Sequence, residues 1–197
     1  MPKLVDHAAR RRQIAEALLA VASERGLHAA TMREVAAEAG VSLRLVQYYF
    51  HSKDELLAGA LEHLAVRIGE RIRERTEGET GARERLLGAL SAVLPIDEDG
   101  RRVVLTYHAY YTYTLSRQGP IPQQGARDAA VLEGFLARQL ADAREAGLLA
   151  EEEEPDLLAA ELLALANGLG ISVLTGNRDG AGALAVLTRR LDRLFRS

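Results

Sequence analysis

Apolar residues recur at helical spacing along almost the whole chain. One stripe joins Ile14, Leu18, Leu19 and Ala22 and stops at Gly26, a residue type suited to end a helix. A longer stripe follows residue 53 and consists of Leu56, Leu57, Ala60, Leu61, Leu64, Ile68 and Ile72. Both patterns predict amphipathic helices that bury one face.

Capping residues divide the first part of the chain into short helices. Thr31 with Glu34, and Ser52 with Glu55, have the form of a capping box, in which a hydroxyl residue is followed three positions later by an acid. Gly40 is expected to end the helix that Thr31 begins, and Ser42 is expected to cap the next one. The sequence therefore predicts two short helices between two long ones.

Five further helices are predicted, near residues 82–94, 99–117, 124–146, 156–175 and 181–195, with stops or starts at Pro95, Gly119, Pro120, Gly147 and Pro155. Residues 103–115 alternate in a way that is locally typical of a strand. No partner strand is evident, and a lone strand is not stable, so this segment too is predicted to be helical. The expected fold is all-α, with about nine helices.

Composition narrows the function classes. The chain has 197 residues, 48% hydrophobic and 27% charged, which is typical of a globular protein. It has no Cys, which excludes disulfides and thiolate chemistry. The N-terminus lacks the apolar segment of a signal peptide, and the run 157–174 is taken as too short and too polar to span a membrane. A soluble cytoplasmic protein without a membrane partner is expected.

Charge is unevenly distributed. Residues 1–53 carry eight basic and five acidic side chains, a net charge of +3, whereas the remainder carries 17 basic and 23 acidic ones, a net charge of −6. This asymmetry indicates an anionic partner for the first part of the chain.

Residues 31–53 have the layout of a helix-turn-helix. The apolar positions of the two short helices are spaced to form a shared core, with Gly40 in the turn: Val35, Ala39, Val41, Val46 and Phe50. The second helix is then expected to expose Leu43, Arg44, Gln47 and Tyr48. Arg and Gln hydrogen-bond to base edges in the major groove, and Tyr can contact the sugar–phosphate backbone. The alternative is a pair of helices that merely pack together.

The same stretch resembles the TetR/AcrR family of transcriptional regulators. The resemblance covers about residues 8–65 and is carried by the first helix ending at Gly26 and by Thr31, Val35, Ala36, Ala39, Gly40, Val41, Ser42, Tyr48, Tyr49, Phe50, Ser52, Lys53, Leu56 and Leu57. It implies a three-helix DNA-binding domain over residues 1–53 and a helical ligand-binding and dimerisation domain over residues 54–197. The implied activity is that of a repressor, a homodimer released from double-stranded operator DNA by an unknown small molecule.

The resemblance also implies a set of DNA-binding residues: Thr31, Arg33, Ser42, Leu43, Arg44, Gln47, Tyr48, Tyr49 and Lys53. Thr31 and Lys53 correspond to phosphate contacts, and Tyr49 to a residue at the groove edge. Relatives commonly have a small residue where Arg44 and Leu45 stand. Arg44 could therefore contact either a guanine or a phosphate.

Members of the family use the remaining helices for a dimer interface and a ligand pocket. The predicted helix 156–175 is apolar nearly all round, so burial on several sides is expected. With the last helix it is assigned to a four-helix interface formed by Leu162, Leu169, Leu184, Leu187, Leu191 and Leu194. The alternative is burial within one subunit.

Four of the six tyrosines lie between residues 107 and 113. Amphipathic rings could line a cavity, which predicts a ligand site formed by His63, Arg67, Tyr107, His108, Tyr111 and Asn167. The alternative is a closed polar core, and then the protein would bind DNA constitutively. An enzyme is disfavoured because the sequence has no HExxH motif, phosphate loop or Ser–His–Asp signature, and two histidines do not form a metal site. No catalytic residue, metal or cofactor is expected.

Overall fold

The computed structural model describes residues 3–115, 120–149 and 154–196, and the side chains of residues 7–113, 127–149 and 154–196. Within these ranges it contains nine helices and no strand: α1 (Lys3–Arg25), α2 (Met32–Glu38), α3 (Leu43–Tyr49), α4 (Lys53–Thr76), α5 (Ala82–Ala92), α6 (Glu98–Leu115), α7 (Pro120–Glu145), α8 (Pro155–Leu174) and α9 (Gly180–Leu194). An isolated antiparallel bridge pairs Leu149 with Phe195. The prediction of an all-α fold is confirmed.

The predicted capping residues begin α2, α3 and α4. The hydroxyl oxygens of Thr31 and Ser42 accept hydrogen bonds from the amides of Glu34 and Leu45, both at 3.2 Å. Ser52 accepts from the amide of Glu55 at 3.1 Å. Each bond satisfies an amide that has no partner within its own helix.

Residues 103–115 form part of α6 despite their strand-like alternation. Val103, Thr106 and Tyr110 are buried, and their spacing places them on one face of a helix. Burial therefore follows the helical period, and the prediction made from context rather than from local preference is confirmed.

The start of α7 differs from the prediction. The helix begins at Pro120 rather than near residue 124, because proline is compatible with the first turn, where no amide donor is required. The predicted end of α6 near residue 117 and the stop at Gly119 lie outside the described residues.

The internal contacts divide the chain into two compact units. The first comprises Met1–Arg67 and Leu105–Arg127, and the second Ile68–Val104 and Asp128–Ser197. This division differs from the predicted boundary at residue 53, because α4 and α6 each contribute residues to both units.

The core of the second unit is built mainly from α5, α7, α8 and α9. Its fully buried members include Leu90, Leu140, Leu162 and Leu187. After the last turn of α9, the amide of Arg196 donates to the carbonyl oxygen of Leu148, which joins the segment after α9 to the segment after α7.

One described helix, α8, is long and apolar enough to cross a membrane by length and composition, with a mean hydropathy of 1.9. By length and composition, this helix contradicts the prediction that the segment is too short and too polar to span a membrane. Leu158, Leu162 and Ala166 nevertheless pack into the core of the second unit. The same apolar composition is found in core helices of soluble proteins.

Candidate nucleic-acid interface

The turn between α2 and α3 is a Schellman motif. Gly40 has a φ of +65°, in the left-handed region that favours glycine. The amide of Val41 donates to the carbonyl oxygen of Ala36 at 2.9 Å, and that of Gly40 to Ala37 at 3.2 Å. These bonds satisfy the last carbonyls of α2 and set the direction in which the chain enters α3.

The inner sides of α2 and α3 are buried as the spacing predicts. Val35 and Val46 have no exposed surface, and Phe50 is 1% exposed. Ala39 and Val41, predicted for the same core, are half-buried at the turn. The opposite side of α3 is therefore fixed facing outward.

The outward face of α3 carries the residues predicted for DNA reading. Arg44 and Gln47 are exposed, and 65% of the Tyr48 surface is exposed. Leu43 and Tyr49 are half-buried. The face thus presents one cationic, one amide and one phenolic side chain, which are suited to hydrogen bonding with base edges and phosphates.

The other predicted DNA-binding residues lie at helix starts. Thr31 and Ser42 are exposed and serve as N-caps of α2 and α3. Arg33 is exposed in the first turn of α2, and Lys53 is the half-buried first residue of α4. Amides and cations at such positions are suited to phosphate oxygens.

Sequence reasoning missed two side chains of α1 that contact the end of α3. Arg11 Nη1 donates to the carbonyl oxygen of Tyr49 at 2.6 Å. The ring of His7 packs edge-on against the Tyr49 ring at 4.6 Å, and the Tyr48 ring packs against the same ring at 5.1 Å. The contacts of Arg11 and His7 with Tyr49 join residues about 40 positions apart, so neither periodicity nor local motifs could indicate them.

The α6 tyrosines differ in burial. Tyr110 is 2% exposed, and its hydroxyl donates to the carbonyl oxygen of Leu57 at 2.9 Å. Burial raises the pKa of Tyr110 far above its usual value. The Tyr110 hydroxyl is therefore satisfied within the chain, as the alternative of a polar core requires.

Tyr107 and His108 are half-buried, and their rings meet edge-on at 5.7 Å. Burial lowers the pKa of His108, which keeps its imidazole neutral at pH 7. Tyr111 is 54% exposed. These three members of the predicted ligand site lie in the first unit, close together on α6.

The remaining predicted ligand residues are more widely distributed. His63 Nε2 lies 3.3 Å from a carboxylate oxygen of Glu16 on α1, and Arg67 is half-buried on α4. Asn167 is half-buried on α8, in the second unit. Among the residues whose positions are described, no three His, Asp or Glu side chains form a group that could hold a metal ion.

The residues assigned to the dimer interface require correction. Leu162, Leu187, Leu191 and Leu194 have no exposed surface, and Leu169 is 7% exposed, all within a single chain. Leu184 alone of the six is half-buried. Five of these side chains belong to the subunit's own core, which agrees with the alternative of burial within one subunit, and they offer almost no surface to a partner.

Comparisons with known proteins agree with this arrangement. Residues 14–60 match the family model described as bacterial regulatory proteins, tetR family, and residues 82–196 match that of the BetI-type transcriptional repressor, C-terminal. The HTH-type transcriptional regulator PksA of Bacillus subtilis is 32% identical over 88% of this chain and 83% of its own. The regulator BetI 1 of Chromohalobacter salexigens is 30% identical over 59% of this chain and 58% of its own.

Solved structures have the same fold. A transcriptional regulator from Rhodococcus sp. Rha1 is 27% identical, with a TM-score of 0.82 over 93% of this chain and 95% of its own. A regulator from Saccharomonospora viridis in complex with choline is 24% identical, with a TM-score of 0.87 over 96% of this chain and 100% of its own. With one family model matched from α1 into α4 and a second matched from α5 onward, the chain belongs to the TetR family of bacterial transcriptional regulators.

Proposed function

We propose that this protein is a cytoplasmic repressor that binds double-stranded operator DNA as a homodimer and is released by a small molecule. The observation that carries the proposal is the outward face of α3, where Arg44, Gln47 and Tyr48 are exposed on a helix whose inner side is buried. A short helix held in this way can enter the major groove and present these side chains to base edges.

The proposed roles divide into reading and positioning. Arg44, Gln47 and Tyr48 read bases, while Arg33, Lys53 and the helix starts at Thr31 and Ser42 contact phosphates; Leu43 and Tyr49 complete the surface. Phosphate contacts give affinity that does not depend on sequence, and base contacts give specificity.

Selection of bound duplexes from a randomised DNA library tests the DNA-binding role. The protein is expected to enrich a two-fold symmetric site, because each subunit of a symmetric dimer reads one half-site. Fluorescence anisotropy with the enriched and a scrambled duplex then measures specificity. Equal affinity for the two duplexes would contradict a sequence-specific repressor.

We further propose that two subunits meet through the exposed face of α8. Its exposed residues recur at intervals of four and three, namely Leu157, Glu161, Ala164, Gly168 and Ile171. Leu157 and Ile171 are 65% and 49% exposed, and Ala164 and Gly168 between them allow close approach of a second helix. The neighbouring helix α9 also exposes small residues, Ala181 and Ala185. The interface thus uses the predicted helices but different residues.

For the ligand, we propose a small organic molecule recognised within the first unit by Tyr107, His108 and Tyr111, with contributions from His63 and Arg67. The aromatic side chains and the choline complex of the Saccharomonospora viridis regulator make an organic cation the first class to test. Ligand binding would favour a conformation of α4, the helix that starts at Lys53, in which the two reading helices no longer match their half-sites.

Titration of choline into the complex with the enriched duplex tests this proposal. Dissociation of the duplex at rising choline concentration is expected. A thermal-shift screen of other small molecules follows if choline has no effect. Absence of any stabilising molecule would favour the alternative, a constitutive DNA-binding regulator; an enzymatic role has no observation in its favour.

A further inference from the structure

Side chains of α1 bind the last carbonyl groups of both helices of the helix-turn-helix. Gln13 Nε2 donates to the carbonyl oxygen of Ala39 at 2.8 Å, and Arg11 Nη1 donates to that of Tyr49 at 2.6 Å. The last carbonyls of a helix have no partner within it, and α3 has no basic residue in its own last turn. Arg11 therefore supplies both the donor and the positive charge at the C-terminal end of α3.

The Arg11 guanidinium is fixed by its surroundings. It lies over the ring of Phe50, 4.3 Å from the ring centre, and 4.0 Å from a carboxylate oxygen of Glu55 on α4. A planar guanidinium can stack on a ring and donate sideways at the same time, which an ammonium group cannot do.

Gly59 of α4 makes room for this stack. A Cβ atom at Gly59 would lie 2.6 Å from Cε1 of Phe50 and 3.6 Å from Nη2 of Arg11. The first distance is too short for two carbon atoms, so any side chain at this position would displace the Phe50 ring. The glycine thus permits the approach of Phe50, and with it the position of Arg11.

We infer that Arg11 is a positioning residue of DNA recognition: it holds the C-terminal end of α3 and thereby fixes where Gln47 and Tyr48 project, without contacting DNA itself. This inference rests on the proposed DNA-binding function. Base-edge contacts require side chains placed to within a fraction of an ångström, so a small displacement of α3 lowers specificity more than overall affinity.

The first test changes no charge. In Gly59→Ala, the displaced ring is expected to lower affinity for the enriched duplex by roughly tenfold, the loss expected for one misplaced base contact. Affinity for a scrambled duplex, and the slope of log K against log salt concentration, are expected to stay the same. Gly69→Ala is the matched control, because a Cβ there has no neighbour within 4 Å.

The second test compares two neighbouring arginines. Arg11→Met and Arg12→Met remove the same charge, but Arg12 is exposed. Both variants are expected to bind the scrambled duplex with equal affinity. For the enriched duplex, the affinity of Arg11→Met is expected to be roughly tenfold lower than that of Arg12→Met. Arg11→Lys keeps the charge but lacks the planar guanidinium that stacks on the Phe50 ring. This variant is expected to show most of the same decrease in the ratio of affinity for the enriched duplex to affinity for the scrambled duplex.

Melting temperatures identify any variant that is unfolded. The ratio of affinities for the enriched and scrambled duplexes is compared only among variants that are folded. The inference would be overturned if Arg11→Met weakened both duplexes by one factor and lowered the salt slope by about one relative to Arg12→Met, since that is the signature of a phosphate contact. An unchanged ratio in both Gly59→Ala and Arg11→Lys would also overturn it. Failure of the wild-type protein to enrich any duplex would instead overturn the proposed function.

Discussion

At the residue scale, the exposed positions of α3 and the first residue of α4 are expected to contribute differently to DNA binding. Arg44→Ala and Gln47→Ala should each relax base preference at one position, at a cost of about 1–3 kcal/mol for a bidentate contact. Lys53→Ala should weaken all duplexes alike and flatten the salt slope by about one unit. Anisotropy on single-base variants of the enriched duplex measures both effects. If Arg44→Ala resembled Lys53→Ala on every duplex, Arg44 would not read a base.

Two neighbouring tyrosines of α6 are expected to separate stability from ligand response. Tyr110→Phe leaves the Leu57 carbonyl without its buried donor and should lower stability by about 1 kcal/mol. Tyr111→Leu removes a half-exposed ring and should weaken binding of an organic cation by about 1 kcal/mol, with little change in melting temperature. Calorimetric titration of choline and thermal unfolding of both variants measure the two quantities. A lower melting temperature for Tyr111→Leu with unchanged binding would remove Tyr111 from the ligand site.

At the element scale, an ion-pair cluster around the buried Arg71 attaches the start of α6 to α4 within the second unit. Arg71 is 7% exposed and donates to Asp97 at 3.1 Å, to Asp99 at 2.9 Å and to the carbonyl oxygen of Ala92 at 3.1 Å. Asp97 also accepts from the amide of Gly100 at 2.6 Å, in the first turn of α6. One carboxylate therefore both caps α6 and holds it to α4.

This cluster predicts a specific dependence of stability on pH. The hydrogen bond from Arg71, followed by that from the Gly100 amide, lowers the pKa of Asp97 below its ordinary value of 3.8, despite burial, which acts the other way. A carboxylate whose pKa is lower in the folded state stabilises that state at pH values above its unfolded pKa. This contribution is lost as the pH falls through the folded value.

Asp97→Asn is therefore expected to be less stable than the wild type at pH 7, and the difference should disappear only below about pH 4. Urea unfolding at a series of pH values measures it. Glu98→Gln is the matched control, because Glu98 is an exposed neighbour of Asp97 in the first turn of α6. Its free energy of unfolding should follow that of the wild type at every pH. A constant difference between Asp97→Asn and the wild type down to pH 2 would exclude the charged form of Asp97 as its source.

Elements whose signals are local could be predicted from the sequence. The N-caps at Thr31 and Ser42 and the left-handed glycines at 26 and 40 depend on residues within a few positions, and each is where the sequence indicates. The prediction of a helix rather than a strand for α6 depended on the absence of a partner strand in the sequence. The face of α8 that turns outward could not be predicted, because leucine occupies both sides: Leu157 is exposed and Leu158 is buried. Arg11 was missed for a related reason, since its partner is 38 residues away.

At the scale of the whole molecule, the correction of the interface residues changes what a substitution in α9 should do. Leu187 has no exposed surface and belongs to the core of the second unit. Leu187→Asp would bury an unpaired carboxylate among apolar side chains, which costs several kcal/mol. The expected result is loss of folded protein rather than folded monomers. Circular dichroism and thermal unfolding detect this loss, and a stable folded monomer would return Leu187 to the interface.

The exposed face of α8 is the place to test the dimer. Ile171→Glu puts a charge on a side chain that is 49% exposed in the single chain, so the subunit should fold normally. In a symmetric dimer the substitution buries one carboxylate from each subunit in the interface, and the dissociation constant should rise at least about a hundredfold. Val131→Glu is the matched control, because Val131 is an exposed apolar residue, 71% exposed, on a different helix, α7. Analytical ultracentrifugation should give monomers for Ile171→Glu and dimers for Val131→Glu.

Since one subunit reads one half-site, the monomeric variant should also bind the enriched duplex more weakly. A dimeric Ile171→Glu protein with wild-type affinity would show that the subunits meet elsewhere.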